Sequence, residues 1–259
     1  LINLGFVLAN LALVAFILWP QGTALGNAPQ LEREQLCIPP LLEGVLQVSS
    51  PGVRPKPKRE EPQSAVGVFR RLPTQDKVVA LTFDDGPQGT KKLLRVLAEK
   101  QVPATFFLLG DIAQGRPDSV QAIVDAGCEI GNHTWSHPRL TDLTEEEVCW
   151  QITASQQVFE ALKVESLPLV RPPYGMWDEG VAEVCASLGY GMLLWDVDTR
   201  DWECSEASVV LERALDGLKP GCVILFHEGK AVTREILPEF IDEARSRGYR
   251  FVLVSEYLN

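Results

Sequence analysis

From Val78 onward, short apolar runs alternate with stretches whose apolar residues recur at helical spacing. Val78–Phe83 is an almost unbroken apolar run and predicts a buried strand. Thr90–Lys100 places Leu93, Leu94 and Leu97 on one side of a helix. The alternation continues with a strand at Ala104–Leu109, a helix at Pro117–Ala126, a short strand at Glu129–Asn132 and a helix at Thr144–Leu162. Thr144 followed by Glu147 fits a capping box, which fixes where that last helix begins. Then come a strand at Leu169–Arg171, a helix at Asp178–Leu188, a strand at Met192–Val197 and a helix at Ser205–Leu218. The pattern ends with a strand at Val223–Phe226, a helix at Thr233–Arg247 and a strand at Phe251–Val254. Strand–helix alternation over seven units implies a parallel sheet with crossover helices. The expected fold is therefore α/β: a distorted (β/α) barrel with about seven parallel strands.

The first third of the chain obeys no such alternation. Leu4 to Trp19 is apolar apart from Asn10, and residues 1–19 read as a signal peptide or a membrane anchor. Residues 20–72 read as a Pro-rich linker: Pro51, Pro55, Pro57 and Pro62 stand among Arg54, Lys56, Lys58 and Arg59. Proline at that density removes backbone donors and favours an extended spacer. The folded domain is then expected over 73–259, outside the cytoplasm, either secreted or tethered to the membrane by the N-terminal segment.

Composition narrows the partners. The formal charge is −11, whereas neutralising phosphates needs a basic surface, so nucleic acid is not an expected partner. The six cysteines contain no C-x-x-C pair, which removes zinc-ribbon and thioredoxin-like readings and leaves mostly buried thiols with room for one bridge. Oligomeric state is not readable from these features.

The chemistry lies where the strands end. Asp84-Asp85-Gly86-Pro87 follows the first strand, His133 and His137 the third, and Pro172-Pro173-Tyr174-Gly175 the fourth. Asp198, Asp201 and Trp202 follow the fifth, and His227 the sixth. In a parallel barrel these positions converge on one face. The chain's only 3 histidines all belong to this set. His133 and His137 are spaced so that one helical turn would aim both imidazoles at one metal ion. With Asp84 or Asp85 they would form a two-His-one-carboxylate site, leaving room for water and substrate. Of the two adjacent aspartates, one can bind metal while the other accepts a proton from water.

Thr82–Pro87, His133-Thr134-Trp135-Ser136-His137-Pro138, Arg171–Gly175, Asp201-Trp202 and Leu225-Phe226-His227 resemble the five ordered motifs of the NodB-homology polysaccharide deacetylases, carbohydrate esterase family 4. The resemblance covers roughly Thr74 to Tyr257. It implies metal-dependent hydrolysis of N-acetyl groups from an amino-sugar polymer such as peptidoglycan or a chitin-like glycan, releasing acetate. It implies Asp84 as general base, with Arg171 orienting it, and Asp85, His133 and His137 as ligands of one divalent ion, Zn2+ or alternatively Co2+ or Ni2+. His227 would be the general acid, tuned by Asp201, with Asp198 as the alternative carboxylate. Pro172, Tyr174, Trp202 and Leu225 would meet substrate, the Tyr174 N–H at the oxyanion and Leu225 at the acetyl methyl. Trp177 is a further candidate for stacking on sugar, Trp135 a weaker one, and Trp195 is expected in the core. Three other readings compete: a non-catalytic glycan-binding module, an O-acetyl esterase acting on xylan, and a non-haem iron oxygenase.

Overall fold

A computed structural model of the chain describes residues Gly67 to Leu258. The N-terminal segment 1–19 and all of the spacer up to residue 66 lie outside the described residues. Among the described residues no helix is long and apolar enough to cross a membrane.

Among the described residues nine strands form one all-parallel sheet: β1 (Val68–Phe69), β2 (Val78–Gly86), β3 (Thr105–Leu108), β4 (Glu129–Asn132), β5 (Leu169–Val170), β6 (Gly191–Leu193), β7 (Val197–Asp198), β8 (Cys222–His227) and β9 (Arg250–Phe251). The helices are α1 (Thr90–Lys100), α2 (Gly110–Gln114), α3 (Pro117–Asp125), α4 (Glu145–Ala161), α5 (Glu179–Ser187), α6 (Ala207–Asp216) and α7 (Ala231–Ser246). The strand order is β1-β6-β5-β4-β3-β2-β8-β7, with β9 also paired to β2. Helix α4 starts on the expected capping box, Thr144 Oγ1 accepting from Glu147 N–H while the Glu147 carboxylate accepts from Thr144 N–H.

Two features differ from the sequence expectation. β1 lies in the stretch assigned to the spacer, and Leu72 is buried in the core, so the folded unit already includes Gly67 rather than starting at Pro73. The expected strand Met192–Val197 is two strands, β6 pairing with β5 and β7 pairing with β8. Both belong to one continuous stretch of chain, so the two ends of the sheet are joined through it and the barrel is distorted rather than regular. The physical reason is at hand. Arg171 spends its guanidinium on the carbonyls of Leu193 (2.9 Å) and Leu194 (3.1 Å), acceptors that an unbroken ladder would use.

Strand alternation sorts side chains between two cores. Val79, Leu81 and Phe83 of β2, with Ile224 and Phe226 of β8, face the helices and pack with Leu93, Leu97, Ile236 and Phe240. Val78 and Ala80, with Val223, Phe107, Leu169 and Leu193, fill the barrel interior. Continuing the interior column of β2 upward gives Thr82 and then Asp84, and continuing that of β8 gives Leu225 and then His227. The register places Asp84 beside His227. The candidate residues are thus the top layer of the barrel interior.

Candidate active site

Asp84 and Asp85 do not follow the first strand, as expected, but end it. A register shift between Phe83 and Gly86 opens β2 here, and Asp85 takes a left-handed backbone (φ 65°). That twist separates the two carboxylates. Asp84 stays in the interior, nearly fully buried, with Oδ1 accepting from Arg171 Nη1 at 2.8 Å. Arg171 is completely buried and also donates to Thr82 Oγ1 at 2.8 Å, while its guanidinium lies 4.0 Å from the centre of the Phe107 ring. Every donor direction toward Asp84 is thereby fixed by the barrel wall.

Asp85 turns the other way, toward the two histidines. Its Oδ1 lies 3.5 Å from His133 Nε2 and 3.4 Å from His137 Nε2, and the three residues form one cluster suited to an ion. Burial alone pushes the Asp85 carboxyl up, but the nearness of the His133, His227 and His137 imidazoles outweighs it and holds it at about 2. His133 Nδ1 sits 2.7 Å from the Arg171 carbonyl, which can only accept, so the ring proton is on Nδ1 and the Nε2 lone pair faces Asp85. Burial and the neighbouring His133 lower the His137 imidazole below its usual range, against the pull of Asp85 and Asp84, and favour its neutral form.

These residues fit a divalent cation. Two ligand atoms about 2.0–2.1 Å from one ion at the tetrahedral angle lie about 3.4 Å apart, the spacing seen here. Asp85 Oδ1 is buried without a hydrogen-bond partner, a vacancy that an ion would fill.

The His133–His137 segment is not the helical turn its spacing suggests. Both Thr134 (φ 74°) and His137 (φ 62°) are left-handed, and the loop is held from outside. Gln151 of α4 accepts from Trp135 N–H (2.9 Å) and Ser136 N–H (3.0 Å), and Asn132 Oδ1 accepts from Thr134 N–H (2.8 Å). Ser155 donates to the Thr134 carbonyl (2.9 Å), which also accepts from Gly110 N–H (3.0 Å) at the start of α2. A Cβ on Gly110 would lie 2.5 Å from Ser155 Oγ, so α2 can approach the loop only as glycine. Gln151, Ser155, Asn132 and α2 were not legible as site residues. The one available signal was a buried polar pair, Gln151 and Ser155, on the inner face of α4.

Across the site, His227 Nδ1 pairs with Asp201 Oδ1 at 2.7 Å. Asp201 Oδ2 accepts from the His227 N–H (2.8 Å) and from the Thr233 hydroxyl. Burial would lower the His227 imidazole, but the hydrogen bond and charge of Asp201, with Asp84 and Asp85, win and raise it. Asp198 instead accepts from Arg200 N–H at 2.9 Å, so Asp201 is the carboxylate that serves His227.

At the rim, Tyr174 is left-handed (φ 60°) and 57% exposed, its ring 4.6 Å edge-on from that of His137. Trp202 is 49% exposed and Trp177 is also exposed. Leu225 is buried in the column below His227. Two expectations change. Pro172 is buried and shapes the turn before Tyr174 rather than facing the groove. Trp195 lies between β6 and β7, half-buried, against Gly175. Trp135 packs edge-on to Trp150 at 5.8 Å. Of the cysteines, Cys128, Cys185 and Cys222 are buried free thiols and Cys204 is half-buried and free.

One neighbour carried no sequence signal beyond following His227. Glu228 is wholly buried, its N–H donating to the Asp84 carbonyl at 3.0 Å. Its Oε1 accepts from Gln88 N–H (3.0 Å) and the Thr90 hydroxyl, tying β8 to the turn after Asp85. Its Oε2 has no partner.

A triad that could hold a cation, an arginine-held carboxylate and an Asp–His couple, gathered at the open end of a parallel barrel, suit a hydrolytic α/β-barrel protein. Comparison with known proteins agrees. The family model "Polysaccharide deacetylase" matches residues 71–193. The peptidoglycan-N-acetylglucosamine deacetylase of Bacillus cereus is 33% identical over 207 residues, covering 77% of this chain and 97% of that protein. The peptidoglycan-N-acetylmuramic acid deacetylase PdaC of Bacillus subtilis is 34% identical over 206 residues, covering 78% of this chain and 44% of that protein. The chain thus spans about half the length of some curated relatives, 44% and 49% in two cases. A solved carbohydrate esterase family 4 pseudoenzyme from Bacillus anthracis matches with a TM-score of 0.70 at 30% identity, covering 74% of this chain and 69% of that one. The chain belongs to the polysaccharide deacetylases of carbohydrate esterase family 4, the NodB-homology group.

Proposed function

We propose that the chain is a metal-dependent N-deacetylase of an amino-sugar polymer of the cell envelope, with peptidoglycan as the leading substrate. One observation carries the reading: a carboxylate pinned by a buried arginine and a carboxylate-backed histidine flank a cation-ready triad. Asp85, His133 and His137 would hold a divalent ion, which would supply Lewis acidity toward the acetyl carbonyl and lower the pKa of water. The donor set suits Zn2+, and also Co2+ or Ni2+.

Asp84 takes the proton of the attacking water through Oδ2, since Oδ1 is committed to Arg171. Water oxygen bonds to the acetyl carbon, the carbonyl oxygen gains charge, and the Tyr174 N–H is the candidate donor to stabilise it. An amine leaves poorly, so a proton must reach its nitrogen. His227, with Nδ1 held by Asp201, presents Nε2 for that transfer. The C–N bond then breaks to give acetate and a free amino sugar. Leu225 lies under the acetyl methyl, and Trp202 and Trp177 offer sugar-stacking faces. The relatives' names support an N-acetylated cell-wall glycan. The apolar segment 1–19 and the Pro-rich stretch support an extracytoplasmic, secreted or membrane-tethered setting.

A second reading, a glycan-binding module, is raised by the likeness to a pseudoenzyme. The discriminating test is acetate release from peptidoglycan fragments, chitin oligomers and acetylxylan, with the chain chelated and then resupplied with Zn2+ or Co2+. Release from an N-acetylated polymer that stops on chelation and returns with metal is the expected result. Release from acetylxylan alone would make it an O-acetyl esterase, and binding of glycan with metal bound but no release would make it a binding module.

A further inference from the structure

Arg139 stands two residues beyond His137, exposed, on the loop that carries the metal-ligand histidines. Its guanidinium lies 5.5 Å over the Tyr174 ring, whose edge meets His137. The cation is therefore one aromatic ring away from the triad. Both supports are fixed: His137 N–H donates to Thr134 Oγ1 (3.2 Å), and Gly175 N–H and Met176 N–H close the Tyr174 turn on Pro172 and Pro173 (3.0 and 3.1 Å).

The other cations around the mouth are committed. Arg171 holds Asp84, Arg200 pairs with Glu203, Arg116 donates to the Pro87 carbonyl and Lys230 to the Trp202 carbonyl. Among the described residues the Arg139 guanidinium has no hydrogen bond or ion pair, in a chain with net charge −11 where acidic partners abound. A planar fork resting on an aromatic face keeps its edge donors free for a carboxylate.

We propose that Arg139 and Tyr174 form a carboxylate subsite, which selects glycans bearing an acidic substituent on or next to the N-acetylated sugar being hydrolysed. Such substituents are the lactyl ether and peptide carboxylates of muramyl sugars, which chitin lacks. A carboxylate fits better than a phosphate, because Asp84, Asp85 and Asp201 nearby repel a dianion more strongly. The inference rests on the deacetylase reading for its substrate geometry.

The test compares the full chain with Arg139→Gln and Arg139→Lys on muramyl-containing peptidoglycan fragments and on neutral chitin oligomers of equal length. Loss of one charge-assisted, solvent-exposed contact should raise KM for the muramyl fragment about tenfold in Arg139→Gln, with kcat little changed. KM for the neutral oligomer should move less than about twofold, and Arg139→Lys should fall between. Equal effects on both substrates, or none, overturn the proposal. Calorimetric binding of both oligomers to Asp84→Asn, with and without Arg139→Gln, reads the preference without turnover. If wild type releases no acetate from either glycan, the deacetylase reading fails. The binding arm still decides the subsite, and a binding preference for muramyl fragments that ignores Arg139 sinks it. Competition by inorganic phosphate stronger than by lactate would reassign the subsite to phosphate and likewise overturn it.

Discussion

Glu228→Gln tests whether the carboxyl beneath the catalytic turn resists ionisation in the folded protein. Burial pushes Glu228 from its ordinary 4.5 up to about 7, against the Thr90 and Gln88 hydrogen bonds and the charge of Arg116. Between these two values the native state holds a proton that the unfolded chain has released. Stability supplied by this group is therefore full below about pH 4.5 and is lost as pH rises through about 7. Each tenfold change in proton affinity is about 1.4 kcal/mol, so the loss approaches about 3 kcal/mol at pH 8 before local relaxation. The glutamine oxygen can still accept from Gln88 N–H and Thr90, and its NH2 takes the place of the unpartnered Oε2 against Gly86. Urea unfolding of both proteins, with chelator present so that ligand titration through metal is removed, gives ΔG at pH 5 and pH 8. The variant should gain about 2–3 kcal/mol relative to wild type between those pH values. A difference between the two proteins that stays constant with pH would refute the argument and return Glu228 to the ordinary carboxylate range.

Three further outcomes follow from the same geometry. His137→Ala should drop bound metal, measured by elemental analysis, at least tenfold below wild type, and unchanged content would remove it from the ligand set. Asp201→Asn removes the charge that raises His227, so the alkaline limb of the kcat profile should shift to lower pH, toward the ordinary imidazole value; an unmoved limb would show that another group donates the proton. Gly86→Ala would set a Cβ 2.0 Å from Glu228 Oε2 and 2.7 Å from Leu108 Cδ2, and should cost about 1–3 kcal/mol in chemical denaturation, whereas an unchanged midpoint would mean the turn yields freely.

How much of this was legible depends on the range of the forces involved. Helix α1 stands at its expected bounds, since Leu93, Leu94 and Leu97 supply a helical period locally, and β4 also keeps its expected bounds. β1 and α2 escaped because 2 and 5 residues contain no period to read. The split of Met192–Val197 also escaped, because its cause is the side chain of Arg171, distant in sequence. The site's members were legible from type and order, but their arrangement was not. The spacing of His133 and His137 suggested a helix, yet Gln151 and Ser155 of α4 hold that segment in a left-handed loop. The choice of Asp201 over Asp198 was likewise made by partners far along the chain, Thr233 and the backbone of His227.

The same distant partners set the chemistry of groups that the sequence writes alike. Asp85 and Glu228 are both carboxylic acids packed on the Gly86 turn. Asp85, ringed by three imidazoles, is held at about 2, whereas Glu228, wholly buried with one oxygen unpartnered, is pushed to about 7. A carboxylate ionised at any working pH suits a cation ligand. A carboxyl that keeps its proton until about pH 7 suits a strut beneath it, because below that pH it adds no second full negative charge to compete with Asp85 for a cation. The barrel reaches both outcomes by one device. Alternation along β2 and β8 decides which side chains enter the polar top layer, and the left-handed turn at Asp85 moves one carboxylate out of that column toward the histidines. An Asp85 substitution that kept the charge but lost that turn would therefore leave Asp84 and His227 in place and still empty the triad.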